Sequence, residues 1–336
     1  MRVLRWGILG TARINRRVIP AMRLARRSDL VAVASRTRAR ADAYAAEWQI
    51  ERAVEGYQAL LADPGIDAVY IPLPNSQHVP WTMAAVAAGK PVLCEKPLAL
   101  DPADIDRIQV AAASARVVVE EGFMYRHEPL TAKVLELVHG GALGTVRAIV
   151  SGFTFALSHD TDVRLDPALG GGSLWDVGCY PVTYARLLTG HDPKMVFGSA
   201  HWHATGVDEE FMGMLRYPGG ATATIYSGFR AALRTWLEVL GSEGALTVPN
   251  PFKPGERELL ELERGGHVET IEVAGSPTLF VREIENFEAS VLDGAPSVVT
   301  LADSRDTAAT LAALLGSARD ATALYPELGA AGDLAI

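Results

Sequence analysis

The first 120 residues alternate short apolar runs with longer amphipathic stretches, and no other feature of the chain restricts its fold so tightly. The runs are residues 3–9, 30–35, 68–71, 91–94 and 117–120. Each is apolar on both faces, as a strand must be when helices cover both sides of its sheet. Between them, residues 37–48, 76–89 and 101–115 carry helical patterns. Strand and helix in this alternation predict βαβ units around a parallel sheet. Pro20 predicts a break and restart in the first helix, because it lacks the N–H that the preceding turn needs.

Past residue 122 the period changes. One helical stretch, 130–139, precedes segments of alternating polarity at 146–157, 194–203, 210–217, 221–229, 235–241, 258–263 and 268–273. Their connections hold turn residues (Pro218-Gly219-Gly220, Gly241-Ser242-Glu243-Gly244, Gly265-Gly266), which suits a large, mostly antiparallel open sheet. Helical patterns at 279–293 and 302–318 follow, and these can pack back on the first domain. The fold class is therefore read as α/β. A doubly wound parallel sheet spans residues 1–121, and an α+β domain spans 122–336, with no internal repeat and no low-complexity linker.

The 336 residues include 31 basic and 40 acidic side chains, a formal charge of −9, with no basic run. That argues against a nucleic-acid-binding surface and leaves room for a local basic pocket. Two cysteines, Cys94 and Cys179, cannot build a disulfide framework. No apolar stretch reaches the ~18 residues of a membrane span. The first strand starts too early for a secretory signal, so a cytoplasmic protein is expected. Only five residues are lysine (Lys90, Lys96, Lys133, Lys194 and Lys253), so the other 26 basic residues are arginine. A lysine within a motif is worth inspecting in such a chain.

The first strand runs into Gly10-Thr11-Ala12-Arg13-Ile14-Asn15 and then a helix, where a Rossmann domain offers a helix N-terminus to a pyrophosphate. Of the G-x-G-x-x-G pattern only Gly10 is kept; Ala12 adds a methyl, and Asn15 stands at the third glycine. Gly10, Thr11, Ala12, Arg13 and Ile14 form the candidate phosphate cradle. The second strand ends in Ser35-Arg36-Thr37-Arg38, where an NAD site would place an acid on the ribose 2′-hydroxyl. A hydroxyl with arginines at 36, 38 and 40 suits a 2′-phosphate, since guanidinium groups bind phosphate oxygens bidentately. Ser35, Arg36 and Arg40 are read as NADP ligands, with Arg38 and Arg40 alternatively solvating a helix start and NAD use left open.

Two further strands end in Ile71-Pro72-Leu73-Pro74-Asn75-Ser76-Gln77-His78 and Val92-Leu93-Cys94-Glu95-Lys96-Pro97. With the glycine turn, they resemble the Gfo/Idh/MocA family of nicotinamide-dependent oxidoreductases. Glu95-Lys96-Pro97 matches the family's E-K-P. The run from Gly170-Gly171-Gly172 to Asp176 and Tyr180 matches its glycines followed by Asp-x-x-x-His or Tyr. The resemblance spans essentially the whole chain. It implies a Rossmann domain joined to an open-sheet domain, an NAD(P) cofactor, and Lys96, Asp176 and Tyr180 as the catalytic set. Tyrosine at 180 is the pattern of the glucose-fructose oxidoreductase, NADP-linked xylose dehydrogenase and dihydrodiol dehydrogenase branch, which agrees with the NADP reading. Pro72, Leu73, Asn75, His78, Glu95, Lys96 and Arg126 would border the cofactor, Asn75 capping its helix and His78 reaching the nicotinamide ribose. Tyr125 and Arg164, with the catalytic set, would face the substrate.

The residue types make sense without the family. Moving a hydride from a secondary alcohol or lactol requires the hydroxyl proton to leave, so a base must lie within hydrogen-bond reach. Lys96 lies just beyond the carboxyl end of a parallel strand, the edge where open α/β sheets bind ligands. Burial beside a cationic nicotinamide would lower its pKa toward working pH, which an arginine cannot match. Asp176 and Tyr180, four apart, share one face if helical, with Ser173 as N-cap. Tyr180 would hold or relay the substrate proton, and Asp176 would orient a hydroxyl or tune Lys96. His201 and His203 share a strand face without an acidic or cysteine partner at ligand spacing, so no metal is expected.

These readings converge on an NADP-dependent oxidoreductase of a sugar or sugar-like cyclic polyol, for example oxidising an aldopyranose at C1 to a lactone. Keto-sugar reduction and trans-dihydrodiol oxidation would use the same residues. A sugar-to-sugar transhydrogenase would also retain its cofactor. A non-catalytic NADP(H) sensor is the alternative from another class, and the intact Lys96, Asp176 and Tyr180 speak against it. Phe211, Met212 and Met214 are expected on the outer face of the second sheet, pairing subunits into a homodimer or homotetramer.

Overall fold

In the computed structural model, which describes residues 2–159 and 161–320, the apolar runs of the first third become a six-stranded parallel sheet. β1 (Leu4–Leu9), β2 (Ser28–Ser35), β3 (Arg52–Glu55), β4 (Ala68–Ile71), β5 (Val92–Glu95) and β6 (Val119–Gly122) lie in the order β3-β2-β1-β4-β5-β6. The order reverses between β1 and β4, so the carboxyl ends there border a crevice, the binding edge of doubly wound sheets. The helices of this half are α1 (Asn15–Leu24), α2 (Arg38–Trp48), α3 (Tyr57–Leu61), α4 (Asn75–Ala87) and α5 (Pro102–Ala115).

Two details depart from the sequence pattern. β3 is a four-residue, half-exposed edge strand with Arg52 and Glu55 at its ends, too short and too polar to read as an apolar run. Pro20 does not break α1. It sits on the exposed side of an uninterrupted helix, where water can serve the carbonyl that its missing N–H leaves free.

The second half supplies α6 (Pro129–His139), β7 (Val146–Thr154), α7 (Cys179–Thr189), β8 (Met195–Trp202), β9 (Asp208–Arg216), β10 (Thr222–Gly228), β11 (Arg234–Gly241), β12 (Gly244–Val248), β13 (Arg257–Arg264) and β14 (His267–Ala274). Its eight strands follow the order β14-β13-β12-β11-β7-β10-β9-β8, antiparallel throughout except that β10 pairs parallel with β7. β12 starts inside the Gly241–Gly244 turn signal and was hidden by it. Period-two alternation along β9 points Phe211 into the core and leaves Met212 and Met214 exposed, so Phe211 does not belong to the outer face.

Two closing helices, α8 (Val281–Asp293) and α9 (Leu301–Asp320), return to the first domain. The fully buried Trp6 of β1 lies 5.1 Å from Phe287 of α8, and its indole N–H points at Glu288 from 3.4 Å. On α9, Asp303 receives both Arg126 (2.6 Å) and Arg186 (2.7 Å). These contacts tie the closing helices to β1, to the segment after β6 and to α7. No helix among the described residues is long and apolar enough to cross a membrane.

Candidate active site

At the end of β1 the chain must turn sharply, and Gly10 does so at φ +112°, where a side chain would also strike Leu73. Asn15 replaces the third glycine with a bond: fully buried, its amide donates to the Gly10 carbonyl at 3.0 Å and fixes the turn. Thr11, Ala12, Arg13 and Ile14 line the open side. Arg40 reaches over from α2 and donates to the Thr11 hydroxyl at 2.8 Å, whereas Arg38 pairs with Asp42 of its own helix. Arg36 is exposed and carries no ion pair among the described residues, while Ser35 is buried. Glu55 of β3 stands in register with Ser35. The rim thus holds the cation that a 2′-phosphate needs and an acid that a 2′-hydroxyl can use. Residues 10–14, Arg36 and Arg40 fit a dinucleotide.

The loop after β4 is tied down on two sides. Pro72 is buried and Leu73 packs against Gly10. Asn75 does not cap α4; its amide donates to the Gly170 carbonyl at 2.9 Å, joining this loop to the glycine run. His78 is buried, with ring nitrogens 2.8 Å from the Pro97 carbonyl and 2.6 Å from that of Leu73. Burial pushes its pKa down against the pull of those two oxygens. The ring clamps the Glu95-Lys96-Pro97 turn and has no nitrogen left for a ribose.

Lys96 extends from the end of β5 with only 11% of its side chain exposed. Its ammonium donates to the Asp176 carboxylate at 3.0 Å and to the Asp176 backbone carbonyl, and lies 5.2 Å over the Tyr180 ring. The other Asp176 oxygen accepts from Arg164 Nε at 2.6 Å, and Arg164 also pairs with Asp162. Burial alone would lower the Lys96 pKa, but Asp176, Cys179 and Glu95 outweigh it and hold the ammonium above its ordinary value. The expected downward shift is therefore reversed, because the ion pair wins. For Asp176, burial is overcome by Lys96 and Arg164, and its carboxyl is held at about 2. Glu95, raised by burial, accepts a 2.6 Å bond from the Tyr70 hydroxyl.

Asp176 sits in a π-helical turn, Leu174–Gly178, that leads into α7. Ser173 does not cap this helix with its own side chain. Its hydroxyl donates to Asp208 of β9 at 2.8 Å, and the same carboxylate accepts the Leu174 N–H at 2.7 Å, so the cap comes from the sheet. Tyr180 presents its ring face to Lys96 while its hydroxyl points to Met124 Sδ at 3.6 Å. Burial pushes the Tyr180 pKa well up, so the phenol stays neutral, and its hydroxyl is turned to Met124 rather than to Lys96 in this arrangement. Tyr125 is fully buried, bonded to Thr183 Oγ1 at 2.7 Å and stacked on Tyr184; it supports Tyr180 from behind and does not reach a substrate. Arg126 turns away from the crevice to Asp303 and the Val298 carbonyl, so it braces the domain junction.

Sequence reasoning passed over Lys253, whose ammonium lies 4.5 Å over Phe153, a ring that packs 5.4 Å from Tyr180. Its only signal was its place among the few lysines. The two strand histidines separate: His201 pairs with Glu209 at 3.2 Å, an acidic partner not foreseen, and His203 bonds Thr205. Among the described residues no group of three or more His, Cys, Asp or Glu could hold a metal ion.

A dinucleotide turn and a buried lysine–carboxylate pair on one crevice define a nicotinamide-dependent oxidoreductase. Residues 4–123 match the family model described as "Oxidoreductase family, NAD-binding Rossmann fold", and residues 131–247 match the GFO/IDH/MocA C-terminal domain. The chain belongs to the Gfo/Idh/MocA family. It is 38% identical to a D-xylose 1-dehydrogenase (NADP(+)) from Haloferax volcanii, over 95% of this chain and 98% of that protein. It is 41% identical to a dTDP-3,4-didehydro-2,6-dideoxy-alpha-D-glucose 3-reductase from Streptomyces violaceoruber, over 79% and 78%. A 3-ketoreductase from Actinomadura kijaniata, solved with NADP and TDP-benzene, superposes with TM-score 0.89 at 31% identity, covering 94% of this chain and 98% of that one.

Proposed function

We propose that this enzyme is an NADP-linked oxidoreductase that interconverts a hydroxyl and a carbonyl on a sugar or sugar-like cyclic polyol. Oxidation of an aldopyranose at C1 to a lactone is one such reaction. The observation that carries the reading is the Lys96 ammonium, held at the crevice by Asp176 across the face of Tyr180. When bound, the nicotinamide supplies or accepts the hydride. Lys96 then gives a proton to the developing alkoxide in reduction, or takes the hydroxyl proton in oxidation. Asp176 fixes where that ammonium points, and Arg164 fixes Asp176. The NADP preference rests on Arg36, directly after β2, and on Arg40 of α2, and the solved 3-ketoreductase with NADP is consistent with it.

The same ion pair favours a second reading, keto-sugar reduction as the working direction. A lysine held above its ordinary pKa enters the reaction as an ammonium and has its proton to give. The reductase among the relatives is in keeping with that direction. We also infer a homodimer or homotetramer through the outer face of the second sheet, where Met195, Phe197, Met212 and Met214 are exposed on adjacent strands.

Lys96→Met tests the central role. Across a panel of aldopyranoses, keto sugars and trans-dihydrodiols, followed by nicotinamide absorbance, kcat is expected to fall by roughly 10²–10⁴-fold with NADPH affinity retained. An unchanged kcat removes Lys96 from the mechanism.

A further inference from the structure

Lys253 lies between β12 and β13, directly after Phe252. Phe252 is fully buried and stacks on Phe153 of β7 (5.9 Å, 7°), and Phe153 in turn packs against Tyr180. Two ammonium groups therefore stand over one aromatic floor, Lys253 above Phe153 and Lys96 above the adjoining Tyr180. The sheet of the second domain carries the first, and the Rossmann edge carries the other.

Their electrostatic settings differ. Lys96 and Arg164 share Asp176, and Arg164 also takes Asp162, so those two cations and two anions cancel. Lys253 has no ion pair among the described residues. It faces Arg17, Lys96 and Arg164 against Asp176 alone, and burial with those cations pushes its pKa down to about 8. Arg17 of α1 likewise makes no ion pair among the described residues. A half-buried ammonium without a counter-ion is costly, and contact with a phenylalanine face returns only part of that cost. Methionine would cover Phe153 as well without the charge. Two uncompensated cations at the crevice of a chain of net charge −9 suit a ligand group of charge near −2. That is a phosphoryl group, because a single carboxylate carries only half that charge, and a lysine ammonium meets phosphate as a point charge.

We propose that Lys253 is the anion-binding residue of the substrate site, receiving a phosphoryl oxygen of a phosphorylated sugar or sugar nucleotide whose reacting carbon lies at Lys96. The proposal rests on Lys96 marking the reacting end, and it deepens that reading by naming the substrate class.

The test is binding, which needs no turnover and so stands apart from the fate of Lys96→Met. Protein saturated with NADPH is titrated calorimetrically with inorganic pyrophosphate as wild type, Lys253→Met and Lys253→Arg, and NADPH affinity is measured separately by nicotinamide fluorescence. Pyrophosphate affinity is expected to fall roughly ten- to hundredfold in Lys253→Met, the loss of one charge-assisted hydrogen bond. Lys253→Arg is expected to keep most of that affinity, with NADPH binding unchanged in both. Absence of pyrophosphate binding by the wild type, or equal binding by Lys253→Met, overturns the proposal. So does an NADPH loss as large as the pyrophosphate loss, which would assign the lysine to the cofactor. Should Lys253→Met lose its native circular dichroism, Lys253→Gln replaces it under the same criteria.

Discussion

Asp176 decides the protonation of the site, because one carboxylate answers two cations, Lys96 and Arg164. Asp176→Asn keeps the shape and removes the charge that holds the Lys96 pKa up, so that pKa falls. Reduction needs the protonated lysine. Its kcat/KM must decline as pH rises through the Lys96 pKa, and Asp176→Asn is expected to move that decline to lower pH. A pH profile of keto-sugar reduction for both proteins measures it, and coincident profiles would falsify the electrostatic role. At this scale Lys96 and Asp176 were legible because their motifs state chemistry and position together. Tyr125, Arg126 and His78 were not, since each is turned by a distant partner: Thr183, Asp303 and the Pro97 carbonyl. A strand end says that a side chain reaches the crevice edge, but not what pulls it aside.

Between residue and fold stands the π-helical turn that carries Asp176. Its entry is Gly172 at φ +122°, where an added methyl would land on the Asp208 carboxylate that caps Ser173 and Leu174. Gly172→Ala therefore combines backbone strain with displacement of the cap, and about 2–4 kcal/mol of stability is expected to go. Urea denaturation reads that loss. Because the turn also sets Asp176, kcat is expected to fall at temperatures where the variant is still folded. A variant as stable and active as wild type would show that Asp208 yields without cost. The glycines were visible in the sequence as part of a motif, but the group they make room for was not, because β9 lies 34 residues further on at the Leu174–Asp208 contact. β3 and β12 were missed for a different reason: four polar-ended residues and five residues beside a turn carry too little periodicity to stand out.

The whole molecule shows two properties that no single motif carries. One is the apolar outer face of the second sheet, where Phe197 and Met214 face each other in register across β8 and β9. Met214→Glu, at an exposed site, is expected to leave the fold intact and to shift sedimentation toward the monomer if subunits pair there. An unchanged sedimentation coefficient would place the contact elsewhere. The other is a set of carboxyls buried where the closing helices meet the Rossmann edge: Glu120 and Glu121 of β6, and Glu283 of α8. Neither the alternation nor the net charge hinted at them, because their burial is imposed by helices that return from far along the chain.

Those carboxyls govern stability against pH, and the sign runs opposite to that of an ion-paired acid. Burial raises Glu120 and Glu121 from 4.5 to about 7, and it also raises Glu283 well above the ordinary carboxyl range. His127, 3.6 Å from Glu120 and pushed down by burial to about 3, stays neutral and gives no cationic partner. Between about pH 4.5 and 7 the folded chain therefore holds protons that the unfolded chain has released, and stability falls as pH rises through that window. Each of the two glutamates contributes on the order of 3 kcal/mol to the decline, from ~1.4 kcal/mol per pKa unit. Asp176 works the other way: held at about 2, it stabilises above its unfolded value near 3.8 and loses that contribution below it. His127 offsets part of the decline, because the unfolded chain protonates that imidazole below about 6.5 while the folded chain does not; Glu120, Glu121 and Glu283 together outweigh it, so the unfolding free energy is expected to be higher near pH 5 than at pH 8. Glu121→Gln keeps an oxygen for the Leu98 N–H, which Glu121 accepts at 2.8 Å, and removes the titration. The variant should gain stability over wild type at pH 8 and gain nothing at pH 4.5, as read by chemical denaturation at the two pH values. Equal offsets at both would mean that folding does not raise the Glu121 pKa, and the buried carboxyls would then need counter-charges that α8 and α9 do not bring.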